Sequence, residues 1–164
     1  MAPRVFYRVQ HNDSQVTYYP SIGFITANSL NGDPEHLCQT LDNHLVDNFE
    51  NHCNKAHTPT ALISVCSSQK LTLERAQHEE QVNGRRSGVL IYEIHENRET
   101  YFFHAQQFAR AVEQWKGKVI LRKNWRYLEN EYLSVNVLPS SAVAWIWDVQ
   151  GFQDCMYPVI PYLS

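Results

Sequence analysis

The chain of 164 residues has no run of 18 or more apolar residues, the length a membrane-spanning helix needs. Its opening, Met1-Ala2-Pro3-Arg4-Val5-Phe6-Tyr7, has no apolar core of a secretory leader. As it stands the chain is expected in the cytoplasm, and secretion would require a trimmed leader. Cysteine is scarce. Cys38, Cys53, Cys66 and Cys155 are irregularly spaced and form no CxxC pair, which favours reduced thiols over two disulfides. Only six glycines occur, and none falls in GxGxxG or GxxxxGK[ST], so the glycine-rich phosphate loops are excluded. HExxH and GxSxG are also missing, which removes the familiar zinc-protease and hydrolase signatures. Net charge is -3, with no basic stripe. The nearest approach is Arg85-Arg86, then Lys116, Lys118, Arg122, Lys123 and Arg126. A duplex nucleic-acid partner is therefore disfavoured, although small basic patches suffice for some nucleic-acid substrates. There is no internal repeat, low-complexity stretch or Pro/Gly/Ser linker.

What is present is a globular composition: 43% hydrophobic, 12% aromatic and 19% charged, far from the charge-rich, apolar-poor profile of disorder. The length suits one domain, expected to span residues 1–164. Val5-Phe6-Tyr7-Arg8-Val9 reads as an opening strand. Residues 11–32 are polar and turn-rich, with apolar islands at Tyr18-Tyr19 and Ile22–Ile25. Asp33-Pro34 supplies an N-cap and a first-turn proline. Leu37, Leu41, Leu45 and Phe49 follow at four-residue spacing, which predicts one amphipathic helix over 34–53. Residues 61–66 read as a strand, 69–81 as a helix capped by Ser67 or Ser68, and 89–94 as a strand. Residues 104–115 read as a helix ended by Gly117. Val119–Leu121 reads as a short strand, and 132–137 and 143–149 as strands split by Leu138-Pro139-Ser140-Ser141. Trp145 and Trp147 alternate with smaller residues and read as the core and rim of a sheet. Strands outnumber regular strand–helix alternations, so an α+β fold with mostly antiparallel sheets is expected, not a doubly wound sheet.

Three pieces carry candidate chemistry, in order along the chain. Arg8 sits on the opening strand. Ser64 sits within Leu62-Ile63-Ser64-Val65-Cys66-Ser67-Ser68. Glu129-Asn130-Glu131 precedes a strand. Residues two apart on extended chain point the same way, so both glutamates would face one site if the segment is extended. This order resembles the arginine–serine–glutamate, cholera-toxin-like class of ADP-ribosyltransferases. The strongest part of the likeness is Glu129-Asn130-Glu131, then a strand, then Leu138-Pro139, then a strand carrying Trp145, matched without a gap. Val65 and Cys66 depart from the class, where Thr and Ser are usual, while Ser64 is retained. More loosely, the Phe-Tyr-Arg-Val opening and the Ile-Ser-Val piece resemble fungal domains, which would suit a toxin or effector.

The resemblance implies split antiparallel sheets flanked by helices and NAD as substrate. It also implies a protein acceptor, with arginine favoured by the glutamate at 129, or water. Cleaving the nicotinamide–ribose bond passes through an oxocarbenium-like ribose. By the same resemblance, Glu131 stabilises that cation and Ser64 orients Glu131. Arg8 binds a ribose or phosphate, and Glu129 positions or deprotonates the nucleophile. Trp125 and Tyr127, just ahead of the pair, are candidates for acceptor contact. The degraded Ser-Val-Cys piece motivates the alternative of a catalytically lapsed binding module with this fold. Each residue alone has a plainer reading, as a surface arginine, a strand-end serine or a solvated glutamate. His44, His52 and His57 form a rival metal constellation, disfavoured because no cysteine pair completes a closed zinc site. Cys66 reads as a buried thiol and not as a nucleophile.

Overall fold

The computed structural model describes residues 2–54, 59–84, 88–121 and 128–158. The elements in chain order are β1 (Val5–Gln10), β2 (Thr17–Tyr19), β3 (Gly23–Ile25), α1 (Pro34–Gln39) and α2 (Asn43–Cys53). Then come β4 (Leu62–Cys66), α3 (Gln69–Asn83), β5 (Leu90–His95), β6 (Phe103–His104) and α4 (Ala105–Lys116). The chain closes with β7 (Glu131–Val135), β8 (Val137–Pro139), β9 (Val143–Asp148) and α5 (Val149–Met156). Two antiparallel sheets form, a six-stranded one in the order β6-β7-β4-β1-β5-β9 and a three-stranded one in the order β2-β3-β8. This is the split antiparallel α+β architecture expected from the sequence.

Register assigns the layers. Tyr7 pairs with Cys66, and Cys66 pairs with Glu131, so these three side chains share one face of the large sheet. Helices cover that face. Leu45, Val46 and Phe49 of α2 and Phe108, Ala109 and Val112 of α4 pack on Leu62, Leu133 and Val135. Leu73 and Ala76 of α3 and Phe152 of α5 pack on Tyr7 and Ile91. The opposite face carries Phe6, Ile63, Val65 and Ile94, and it packs against Phe24 and Leu138 of the small sheet. Phe49 is fully buried. No helix among the described residues is long and apolar enough to cross a membrane.

Several sequence expectations need correction. The helix over 34–53 is two helices. Leu41 has φ 48, in the left-handed region, and Asp42 then caps a new helix by accepting from the backbone N–H groups of His44 and Leu45. The expected strand at Val119–Leu121 is absent. Its backbone is satisfied by side chains instead: Ile120 N donates to Glu113 Oε1, and Asn54 Nδ2 donates to Ile120 O at 3.2 Å. The strand expected over 132–137 breaks at Asn136, with φ 66, and its two halves join different sheets. Asn136 makes this corner rigid. Its Oδ1 accepts from Leu30 N, its Nδ2 donates to Leu30 O, and its backbone oxygen accepts from Thr26 N. Trp145 is not core, because β9 is an edge strand and leaves it 58% exposed; Trp147 is partly buried beside Phe152.

Candidate active site

β7, β4 and β1 are neighbours in the centre of the large sheet, and each brings one residue of the sequence constellation. Cys66 lies opposite Glu131 and Ser64 opposite Leu133, so Ser64 and Glu131 are diagonal neighbours on the helix-covered face. A glutamate side chain spans that diagonal. Ser64 Oγ donates to Glu131 Oε1 at 2.9 Å. The loop ahead of Glu131 is tied to the end of β4. Ser67 N donates to Asn130 O at 2.9 Å, and the Ser67 hydroxyl lies 3.2 Å from Asn130 Oδ1. On its other side His104 Nε2 is 2.7 Å from Glu129 O.

A third side chain converges on the same carboxylate oxygen. His52 Nε2 lies 2.8 Å from Glu131 Oε1. His52 stands three residues after the fully buried Phe49 on α2, so the stripe that anchors the helix in the core also aims the imidazole at β7. Glu131 is only 9% exposed. Burial alone pushes its carboxyl up. The His52 hydrogen bond and charge, the Ser64 hydroxyl and the field of Arg75 outweigh that, and the carboxyl ends below its ordinary value. A buried carboxylate held ionised is suited to stabilising a developing cation.

Arg8 joins the group differently. Only Tyr7–Cys66 bridges β1 and β4 by register, so the two strands splay beyond it. Arg8 Nη1 donates to the backbone oxygen of Ser64 at 2.8 Å, taking the place of a ladder bond across the gap. Its Nε donates to Gln10 Oε1 at 3.0 Å, and its guanidinium lies 5.5 Å from the centre of the Phe24 ring. Alternation along β1 puts this side chain on the small-sheet side, away from Glu131. Burial pulls its pKa down to about 10, against the opposing fields of Tyr92 and Glu131, so it stays charged at neutral pH. A cleft of about 230 Å³ opens where the strands part, lined by Tyr7, Arg8, Ser64, Cys66, Thr72 and Arg75, among others.

The structure therefore joins Arg8, Ser64 and Glu131 through a chain of contacts. Glu129 does not fit the sequence argument. β7 begins at Glu131 and residues 129–130 form a turn, so the alternation of an extended segment does not apply and Glu129 is exposed. Trp125 and Tyr127 lie outside the described residues. Of the rival metal constellation, His52 is engaged with Glu131 and His57 lies outside the described residues. Among the described residues no cluster of three or more His, Cys, Asp or Glu is placed to hold a metal. Cys66 is a buried free thiol. Burial pushes the Cys53 thiol up strongly, with the nearby Glu131 charge adding to the shift, so neither cysteine is a ready nucleophile.

Sequence reasoning named His52 only as a candidate metal ligand and missed its contact with Glu131. Its signal was its place on the Leu45–Phe49 stripe, since a histidine on a core-facing stripe needs a polar partner.

No curated protein matches the chain. Among solved structures it resembles EcPltA, an ADP-ribosyltransferase-like toxin. The TM-score is 0.56 at 16% identity, and the match covers 86% of this chain and 73% of that one. This likeness establishes the fold as ADP-ribosyltransferase-like. A family model matches residues 1–152, and the chain belongs to that family, described as Domain of unknown function (DUF7587).

Proposed function

We propose that this domain cleaves the nicotinamide–ribose bond of NAD and passes ADP-ribose to a protein acceptor, arginine foremost, or to water. The observation that carries this reading is the contact of Ser64 Oγ with Glu131 Oε1 at 2.9 Å, on adjacent central strands of an ADP-ribosyltransferase-like fold. In the proposed reaction the bond from ribose C1′ to the pyridinium nitrogen breaks, and its electron pair leaves with neutral nicotinamide. The ribose becomes oxocarbenium-like, and the ionised Glu131 carboxylate stabilises it. A lone pair of the acceptor then forms the new bond at C1′, and the acceptor gives up one proton. Glu129, exposed in the turn ahead of β7, is the proposed carboxylate for that proton. Ser64 and His52 act through Glu131 by fixing its rotamer and keeping it ionised.

The cleft of about 230 Å³ is smaller than the ~300–1,000 Å³ of sites that enclose a whole ligand. It suits one part of a dinucleotide, with the remainder reaching out across the surface.

The test is nicotinamide release from NAD by wild type and Glu131→Gln, each with and without agmatine. Release that depends on Glu131 and rises with agmatine supports an arginine-directed transferase. Release that depends on Glu131 but ignores agmatine supports hydrolysis or a different acceptor. No release from folded wild type, with cell extract supplied as a source of acceptors, would favour the lapsed binding module instead.

A further inference from the structure

The cleft between β1, β4 and α3 holds two arginines, and they are not equivalent. A guanidinium offers five N–H donors in one plane. Arg8 spends two of them inside the protein, on Gln10 Oε1 and on the Ser64 carbonyl, and its guanidinium carbon lies over the Phe24 ring. Its side chain lies on the small-sheet side of β1. Arg75 is the opposite case. It stands on α3, three residues after the fully buried Thr72, and is itself exposed. Among the described residues no hydrogen bond or ion pair engages it. α3 packs on the face that carries Tyr7, Cys66 and Glu131, so Arg75 shares a face with the candidate carboxylate. The two are close enough for the field of Arg75 to act on Glu131.

We propose that Arg75, and not Arg8, is the residue that grips the diphosphate of the dinucleotide, while Arg8 is a positioning residue that closes the backbone gap between the splayed strands. This inference rests on the NAD reading of the cleft. An unengaged planar fork at a cleft mouth matches phosphate oxygens in a bidentate fashion more readily than a partly buried fork with two of its five donors already committed. The diphosphate stands one ribose away from the bond to be broken. A cation on the same face as Glu131 would therefore set the nicotinamide ribose over the carboxylate. Arg8 acts on the same geometry from below, because the Ser64 backbone it holds carries the hydroxyl that orients Glu131.

The experiment is calorimetric titration of the full chain with ADP-ribose and, as a phosphate-free control, with adenosine. Wild type, Arg75→Gln, Arg75→Lys and Arg8→Gln are compared. Arg75→Gln is expected to weaken ADP-ribose about tenfold or more and to leave adenosine unchanged. Arg75→Lys should recover part of the loss, since it restores the charge without the fork. The KM for NAD should rise more than kcat falls, and added salt should weaken wild type more than Arg75→Gln. Arg8→Gln should lower thermal stability before it lowers affinity.

Equal ADP-ribose affinity in wild type and Arg75→Gln would overturn the proposal. So would an equal loss for adenosine, or a folded Arg8→Gln that loses ADP-ribose while Arg75→Gln keeps it. Wild type that binds ADP-ribose through Arg75 but never cleaves NAD would sink the catalytic reading and leave this one standing. Wild type that binds neither ADP-ribose nor NAD would sink both.

Discussion

Replacing Ser64 with alanine removes one hydroxyl from a central strand and leaves the backbone ladder of β4 and β7 intact. The lost bond runs from Ser64 Oγ to an ionised carboxylate oxygen at 2.9 Å. Hydrogen bonds to charged groups are worth about 1.5–3 kcal/mol net, equivalent to roughly 10- to 150-fold in rate if the bond is needed in the transition state. His52 Nε2 remains at 2.8 Å on the same oxygen, so the carboxylate is loosened and not released. The expected loss in kcat/KM for nicotinamide release is therefore in the lower part of that range, about 10- to 30-fold. His52→Ala should cost a similar amount, and the double variant should show that the two are coupled. With both donors gone the buried carboxylate loses what keeps it ionised, so the combined loss should exceed the sum of the singles. The assay is steady-state release by variants that share the wild-type unfolding temperature within a few degrees. Ser64→Ala within twofold of wild type would refute the positioning argument, because Glu131 would then be oriented by something other than these two donors.

The stability of the site should also depend on acid. Glu131 titrates below its ordinary value of 4.5 in the folded chain, so its ionisation contributes stability in full above about pH 4.5. That contribution is lost as pH falls through the lower folded value. The stability gap between wild type and Glu131→Gln, followed by urea unfolding, should narrow as pH drops below 4.5; a gap that widens there would contradict the sign. Phe49→Ala empties a fully buried aromatic site under α2 and should cost about 3–5 kcal/mol in the same assay, with NAD turnover falling as His52 shifts. Gly23→Ala should destabilise by more than about 1 kcal/mol, since φ is +124 and a new Cβ would sit 2.1 Å from Leu138 O, where β3 pairs with β8. Differential scanning calorimetry checks this, and an unchanged unfolding temperature would mean that the small sheet repacks freely.

The parts legible in the sequence were those decided by local pattern. β1, β4 and β5 are short β-rich runs, and α3 and α4 carry capping signals at Ser68, Gly84 and Gly117. Arg8, Ser64 and Glu131 could be picked out because each stands on its own strand in a recognisable order. The failures have physical causes. Leu37, Leu41, Leu45 and Phe49 keep a helical period straight through a break, because a left-handed Leu41 still leaves Leu37 and Leu45 in the core. The competing signal was Asp42, an N-cap residue inside the apparent helix. β2 and β3 have three residues each, too few for any period, and β3 completes its sheet with β8 from the far end of the chain. Asn136 turns one expected strand into two, since asparagine tolerates positive φ at little cost. The pairing of His52 with Glu131 was invisible because the two residues are 79 apart, so His52 was read only as a candidate metal ligand. The alternation that would have aimed Glu129 and Glu131 the same way fails because residues 129–130 form a turn.

The roles proposed for the two arginines differ from the ones the sequence pattern implies. The pattern marks Arg8 as an anion contact. On the proposal made above, its bonds to Gln10 and to the Ser64 carbonyl make it a strut between splayed strands. Arg75, which no motif singles out, is the cation left open beside the carboxylate.

The central claim is that Glu131 is the group that breaks NAD. The most direct test is a chromatographic time course of NAD, nicotinamide and ADP-ribose with wild type, Ser64→Ala and Glu131→Gln side by side at equal folded concentration. The account expects nicotinamide to appear fastest with wild type, about tenfold or more slower with Ser64→Ala, and at background with Glu131→Gln. Nicotinamide released at the same rate by wild type and Glu131→Gln would contradict it.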